Sequence, residues 1–330
     1  MMDRRAFIGR LTLGALAAPR TATAQSARKI YRIGLLGIQP TSDMVGPLPH
    51  SPQWNALLRG LRELGYVYGE HFVTEPRGSE GKPERVPSLA AELARLQVDV
   101  IVAAGTTLPA LKQATSTIPV VMAAGADPVE QGFVQSLGHP GGNFTGLSWQ
   151  ETATMVKRLE LLKELVPGAA PVAVFRDTPP GRSSQAVEAA ALERGWKLLF
   201  FEIRDAGEIE GTFRAVTRAG AAAVLVTGGA VLAPQARRVA KLAGRNRLPA
   251  IYNIRGYVDA GGLMSYAANT NEIWRRAAVF VDKILKGAKP GDLPIEQPTK
   301  FELVINLRAA KTLGLTIPPS MLLRADEVIQ

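Results

Sequence analysis

The chemical resources of this 330-residue chain are three histidines, no cysteine, and a scatter of threonine, aspartate, arginine and tyrosine side chains next to apolar runs. The lack of cysteine excludes disulfides, thiolate metal sites, a thiol nucleophile and a lipidated cysteine. His50, His71 and His139 do not stand at metal-ligand spacings, so no zinc site is expected. There is no G-x-S-x-G elbow, no H-E-x-x-H and no G-x-G-x-x-G after a strand. A hydrolase needs a nucleophile beside a base, and these histidines offer no such pair; His139 reads as a solvated loop residue. What remains is recognition chemistry. Gly105-Thr106-Thr107 precedes a helix-like Leu108–Ala114, where free amides and hydroxyls suit a carboxylate, or where a threonine simply caps the helix. Asp127 precedes Pro128 and a helix-like segment, 129–137. It either binds an ammonium or caps that helix, and Pro128 biases it toward an extended backbone. Tyr252 and Tyr266 pair an apolar ring with a polar tip, which suits packing on an aromatic ligand.

These groups need elements to hold them. Short apolar runs recur at 31–38 (YRIGLLGI), 71–76, 98–104 (VDVIVAA), 118–123, 171–175 (PVAVF), 197–203, 222–227 and 249–254. Valine- and isoleucine-rich runs without alternation suit parallel strands buried on both faces. Amphipathic segments lie between them. Trp54, Leu57, Leu58, Leu61 and Leu64 fall on one helical face, as do Leu89, Leu93 and Leu96, and Leu159, Leu162 and Leu165. These stripes are core. The stretch from Val98 (VDVIVAAGTTLPALKQATSTIPVVMAAG) and the one from Ala222 (AAVLVTGGAVLAPQARRVAKLAGRNRLPAIYNI) share one plan: strand, glycine turn, helix, proline-containing loop, strand. Such a duplicated β-α-β plan predicts an α/β chain of two doubly wound lobes.

The glycine-rich stretch 138–148 (GHPGGNFTGLS) falls where the chain should pass from one lobe to the other. Its glycines precede a strand-like segment, 143–148, and no GK[ST] follows, so it is not a phosphate loop. It reads as a tight turn ahead of a crossover strand. The formal charge of +10 raises nucleic-acid or membrane contact. The basic residues, however, are spread along the chain and cluster only in pairs such as Arg237-Arg238 and Arg275-Arg276, which reads as a solvated basic surface. Residues 1–26 carry Arg4-Arg5, a short apolar core interrupted by Arg10, and an Ala22-Thr23-Ala24 cleavage signal. An export signal cleaved near Ala24 is expected. It resembles a twin-arginine leader, with ordinary secretion as the alternative. No later segment is long and apolar enough to span a bilayer.

The segment 118–148 (IPVVMAAGADPVEQGFVQSLGHPGGNFTGLS) resembles the signature region of the periplasmic substrate-binding proteins of ABC importers, in the family that includes tryptophan-binding proteins. Residues 248–329 are similar to that family over nearly their whole length. The resemblance implies a type I periplasmic binding fold: two α/β lobes, three crossover hinge strands and a ligand cleft between the lobes. It implies no cofactor, no catalysis, a small-molecule solute and a membrane ABC permease as partners, no nucleic acid, and a periplasmic monomer. The expected division is 27–146 plus about 269–300 for lobe 1, and 147–268 plus about 301–330 for lobe 2. One departure stands out: the family's Asn-Pro-rich loop is replaced by FRDTPPGRSS, with Arg176 and Asp177.

Ligands of open parallel sheets bind outside the carboxyl ends of strands. The candidates are therefore Gln39 and Thr41; Gly105, Thr106 and Thr107; Ala124, Gly125 and Asp127; and Thr145 at the crossover. In the second lobe they are Arg176 and Asp177, Thr227 and Gly228, Tyr252, Asn253 and Arg255, with Tyr266 on a second crossover candidate, LMSYAAN. The function expected is capture of an amino acid or related carboxylate for import. A ligand-sensing binding protein without transport and a cleft hydrolase are the alternatives.

Overall fold

The structure, a computed structural model, describes residues 29–149, 151–168, 170–177, 182–229 and 231–330. Residues 1–26, where an export signal is expected, and positions 178–181 of the Arg176-Asp177 loop lie outside them. The first lobe is built from β1 (Tyr31–Gly37), α1 (Pro52–Glu63), β2 (Phe72–Gly78), α2 (Val86–Arg95), β3 (Val100–Ala104), α3 (Leu108–Ala114), β4 (Val120–Gly125) and β5 (Phe144–Ser148). There follow α4 (Glu151–Leu165), β6 (Val172–Arg176), α5 (Arg182–Glu193), β7 (Leu198–Glu202), α6 (Ile209–Arg218), β8 (Ala223–Val226), α7 (Ala236–Arg245), β9 (Ala250–Tyr252), α8 (Gly256–Asp259) and β10 (Met264–Ala268). The chain ends with α9 (Thr270–Leu285), β11 (Phe301–Asn306), α10 (Leu307–Leu313), α11 (Pro319–Arg324) and β12 (Glu327–Ile329).

The two sheets run β2-β1-β3-β4-β5 and β12-β11-β10-β9-β8-β6-β7. Read from the β7 edge, the second repeats the order of the first, which is the duplication expected from 98–125 and 222–254. Among the described residues all strand pairings are parallel except β10 with β11. The segment LMSYAAN is therefore mainly an interior strand, and the crossover falls at Asn269, whose side chain caps α9 by accepting from the Glu272 amide at 3.0 Å.

Side-chain alternation along the strands divides each lobe into two half-cores. In the first lobe Ile33, Leu35, Val100, Val102 and Val121 face Trp54, Leu57 and Leu61 of α1 and Trp274, Ala277 and Phe280 of α9. Leu36, Ile101, Ala103 and Met122 face α2 and α3 through Leu89, Leu93, Leu108 and Leu111. Helix α9 thus returns to the first lobe. It lies so close to α1 that a Cβ at Gly60 would sit 2.5 Å from the Arg275 carbonyl oxygen. In the second lobe Val172, Val174, Leu225 and Ile251 pack on Met155, Leu159 and Leu162 of α4 and Val187 of α5. Ala173, Phe175, Val224 and Val226 pack on α6, α7 and α8.

Two of the three connections between the lobes lie side by side. The Ser148 amide donates to the Glu296 carbonyl and the Glu296 amide to the Gly146 carbonyl, both at 2.9 Å. Arg276 of α9 then grips the Glu296 carboxylate with Nε and Nη2, both at 2.8 Å. That guanidinium holds the Glu296 carboxyl below its usual range.

The segment 129–137 is not a helix. Asp127 has φ +39 rather than the extended backbone expected from Pro128, and the amides of Phe133 and Val134 both turn back to the Pro128 carbonyl. Burial of Phe133 and Val134, with Phe133 stacked on Phe144 at 5.3 Å, outweighs the local helical pattern.

Candidate ligand-binding cleft

Two openings lie where the lobes face each other. The smaller, about 460 Å³, is walled by Asp127, Pro128, Val129, Glu130 and Leu137 of the β4–β5 connection. Ser148 and Gln297 of the crossover strands, Thr152 of α4 and Ala186 of α5 complete it. The larger, about 740 Å³, lies between the turns after β1 and β2 (Ile38, Gln39, Pro40, Glu80, Gly81, Lys82, Pro83, Glu84) and those after β7 and β8 (Arg204, Asp205, Ala206, Val231, Ala233, Pro234, Gln235), with Gln53 of α1. Both fall within the range of small-molecule sites.

Of the sequence candidates, Gln39 lines the larger opening and Asp127 the smaller. Gln39 is also an acceptor for the Trp54 indole at 3.4 Å, so its amide is oriented by the core. Thr41 ties two strand ends together, its hydroxyl accepting from the Gly78 amide at 2.9 Å. Gly105 and Thr106 stay at the surface of a 3-10 turn. Thr107 is buried and donates to the Ala104 carbonyl at 2.9 Å, so it neither caps α3 nor offers its hydroxyl to a ligand.

Several candidates prove to be interior. Ala124 lies within β4, not after it, and is 1% exposed. Thr145 is fully buried and donates to the Leu293 carbonyl at 2.7 Å, tying down the third crossover. Tyr252 is buried and stacked on Tyr257 with centroids 4.6 Å apart; burial pushes both phenols well above their usual range. Tyr266 stacks on Phe301 at 5.7 Å, within the sheet it belongs to. Arg255, by contrast, is exposed, and bridges to Glu327 of β12 at 2.5 and 2.8 Å.

At the carboxyl ends of β6, β8 and β9 the structure does gather a polar group. Asp177 accepts from the amides of Gly229 (2.9 Å), Val231 (2.7 Å) and Leu232 (3.0 Å), so its carboxylate shapes the wall of the larger opening and is spent there. Gly228 is packed against that carboxylate. Thr227 donates to the Phe175 carbonyl at 3.0 Å. Asn253 donates to the Thr227 and Gly228 carbonyls at 3.1 and 3.2 Å, and its buried Oδ1 has no partner among the described residues. Arg176 lies over the Phe200 ring at 5.0 Å, with Nε and Nη1 buried and unpartnered among the described residues.

Sequence reasoning missed the turns after β2 and β7. The strand-end rule reached both strands, and applying it to their ends would have found Glu80–Glu84 and Arg204–Ala206. Ser148 and Gln297 carried no local signal, because only the pairing of crossover strands brings them to the cleft.

Two twisted α/β lobes with facing strand ends and crossovers paired at one side define a two-lobed cleft-binding protein. The chain belongs to the ABC transporter substrate binding protein family, whose profile matches residues 52–329. It is 27% identical over 263 residues to a tyrosine-binding protein of Clostridioides difficile strain R20291, covering 78% of this chain and 75% of that one. Among solved structures it resembles an ABC domain from Streptococcus pneumonia in complex with L-Trp (TM-score 0.80, 26% identity, 91% of this chain and 100% of that one). A conserved domain protein from Vibrio cholerae gives a TM-score of 0.81 at 26% identity, with the same coverage. Among the described residues no helix is long and apolar enough to cross a membrane.

Proposed function

We propose that the protein is the solute-binding component of an ABC importer, exported to the periplasm by its N-terminal leader and working there as a monomer. It captures an amino acid or related carboxylate between its lobes and delivers it to a membrane permease, without chemical turnover. On this reading the lobes divide within β5, near 146/147, and again at about 268/269 and about 300/301. The observation that carries this reading is the meeting of strand-end turns from both lobes at the larger opening, with the paired crossover strands lining the smaller one. Such crossovers form a hinge, and closure of the two lobes around a solute is the signal a permease reads. The tryptophan complex and the tyrosine-binding relative support an aromatic amino acid as the first solute to try.

A solute held between lobes binds only the folded protein. At 100 times its dissociation constant it stabilises by about 2.7 kcal/mol. Ligand-stripped protein is melted with amino acids, organic acids and neutral solutes in turn. A rise with one amino acid or acid supports the reading. An unmoved melting temperature across the whole panel refutes it, and product formation from any of them refutes the non-enzymatic part.

A further inference from the structure

Among the described residues, Arg176 is a charge without an internal counterion. It closes β6, where its register partner is Glu202 and its chain neighbour is Asp177. Both acids are committed elsewhere: Asp177 to three backbone amides, Glu202 to Arg204 at 3.2 Å. No hydrogen bond from the described residues reaches Nε or Nη1, and both atoms are buried. Arginine stays protonated in any protein environment, so it cannot escape this by losing its charge. The residue is half-buried, and a guanidinium with two buried nitrogens unpartnered among the described residues is unfavourable for a fold to carry. Its retention at the mouth of a strand calls for an anion from outside.

The geometry selects the kind of anion. The guanidinium has one face over Phe200, which leaves its in-plane N–H groups as the remaining interaction surface. Its side and end edges, Nε/Nη2 and Nη1/Nη2, each contain one of the unpartnered nitrogens. A carboxylate taking either edge in bidentate fashion satisfies one of them. Alternation places Arg176 on the same sheet face as Val172 and Val174, the face covered by α4 and α5. Thr152 and Ala186 line the smaller opening from those same helices.

We propose that Arg176 is the anion receptor of the cleft and that the solute must present a carboxylate to it. This rests on the solute-binding function above, and adds which group the solute carries and which residue reads it. A panel of amino acids and carboxylic acids, each beside its own carboxamide, is titrated calorimetrically into ligand-stripped full-length protein, Arg176→Gln and Arg176→Lys. Acids that bind the wild type weaken at least about thirty-fold against Arg176→Gln, and their carboxamides weaken by a similar factor against the wild type. Arg176→Lys, which keeps the charge but not the fork, recovers part of the loss. Ligand-free Arg176→Gln melts at or above the wild type, because it lacks the unpaired charge. Acid affinity within about threefold of wild type in Arg176→Gln, or carboxamides that bind as well as acids, overturns the receptor role while solute capture stands. So does a ligand-free Arg176→Gln that melts well below the wild type, which would make Arg176 a structural residue. Binding of neutral solutes alone overturns the proposal and leaves capture intact; no binding at all overturns both.

Discussion

Gly146 sits in the crossover strand β5 with φ +124, a backbone region essentially closed to side-chain-bearing residues. A Cβ placed there lies 2.3 Å from the Met122 carbonyl oxygen, 2.7 Å from its amide nitrogen and 2.9 Å from its carbonyl carbon. All three atoms are backbone of the neighbouring strand β4, so no side-chain rotation relieves the overlap. Clearing it means moving β5 away from β4 by roughly an ångström, at the place where the β4–β5 register already shifts between Met122 and Gly125. The same movement strains the 2.9 Å bond from the Glu296 amide to the Gly146 carbonyl, which joins the two crossovers. Forcing a side chain into that region costs about 1–3 kcal/mol by itself. With one strained hydrogen bond of about 1 kcal/mol added, Gly146→Ala should destabilise by about 3 kcal/mol or more. Gly142→Ala is the control: it has no positive φ, and its new methyl group would meet nothing within 4 Å. Urea denaturation followed by circular dichroism of both variants measures the difference. Equal midpoints for the two would refute the reasoning from close backbone approach.

Asp177→Asn keeps one acceptor oxygen where two now serve the amides of Gly229, Val231 and Leu232, so stability should fall by at least about 1.5 kcal/mol in the same denaturation assay; an unchanged midpoint would show that water replaces the carboxylate there. The Arg276–Glu296 tie has a depressed carboxyl, so its stabilisation is present above the unfolded value near 4.5 and fades as pH falls through the folded one. With side chains 45% and 34% exposed it is worth under about 1 kcal/mol. The stability gap between wild type and Arg276→Ala should be flat near neutrality and close below about pH 4.5, and a gap that persists to about pH 3 would assign the loss to packing instead.

The sequence by itself determined the α/β class, the position of most strands and the existence of two similar lobes. Buried parallel strands demand unbroken valine- and isoleucine-rich runs, and Leu57, Leu93 and Leu159 mark helix faces that no other arrangement buries. These are local signals with a short period. The segment 129–137 shows their limit, since its helical pattern gives way to turns once Phe133 finds Phe144. The tertiary structure alone decided which strand-end residues face an opening. Thr145 and Asp177 look like ligand groups by position, yet one is tied to Leu293 and the other to three amides 52 to 55 residues further along the chain. Ser148 and Gln297 reach one wall only because distant crossovers pair. A polar side chain's role depends on which partner reaches it first in space, and that partner is usually remote in sequence. For Arg176 no described residue reaches Nε or Nη1, an absence that no motif in FRDTPPGRSS could have disclosed.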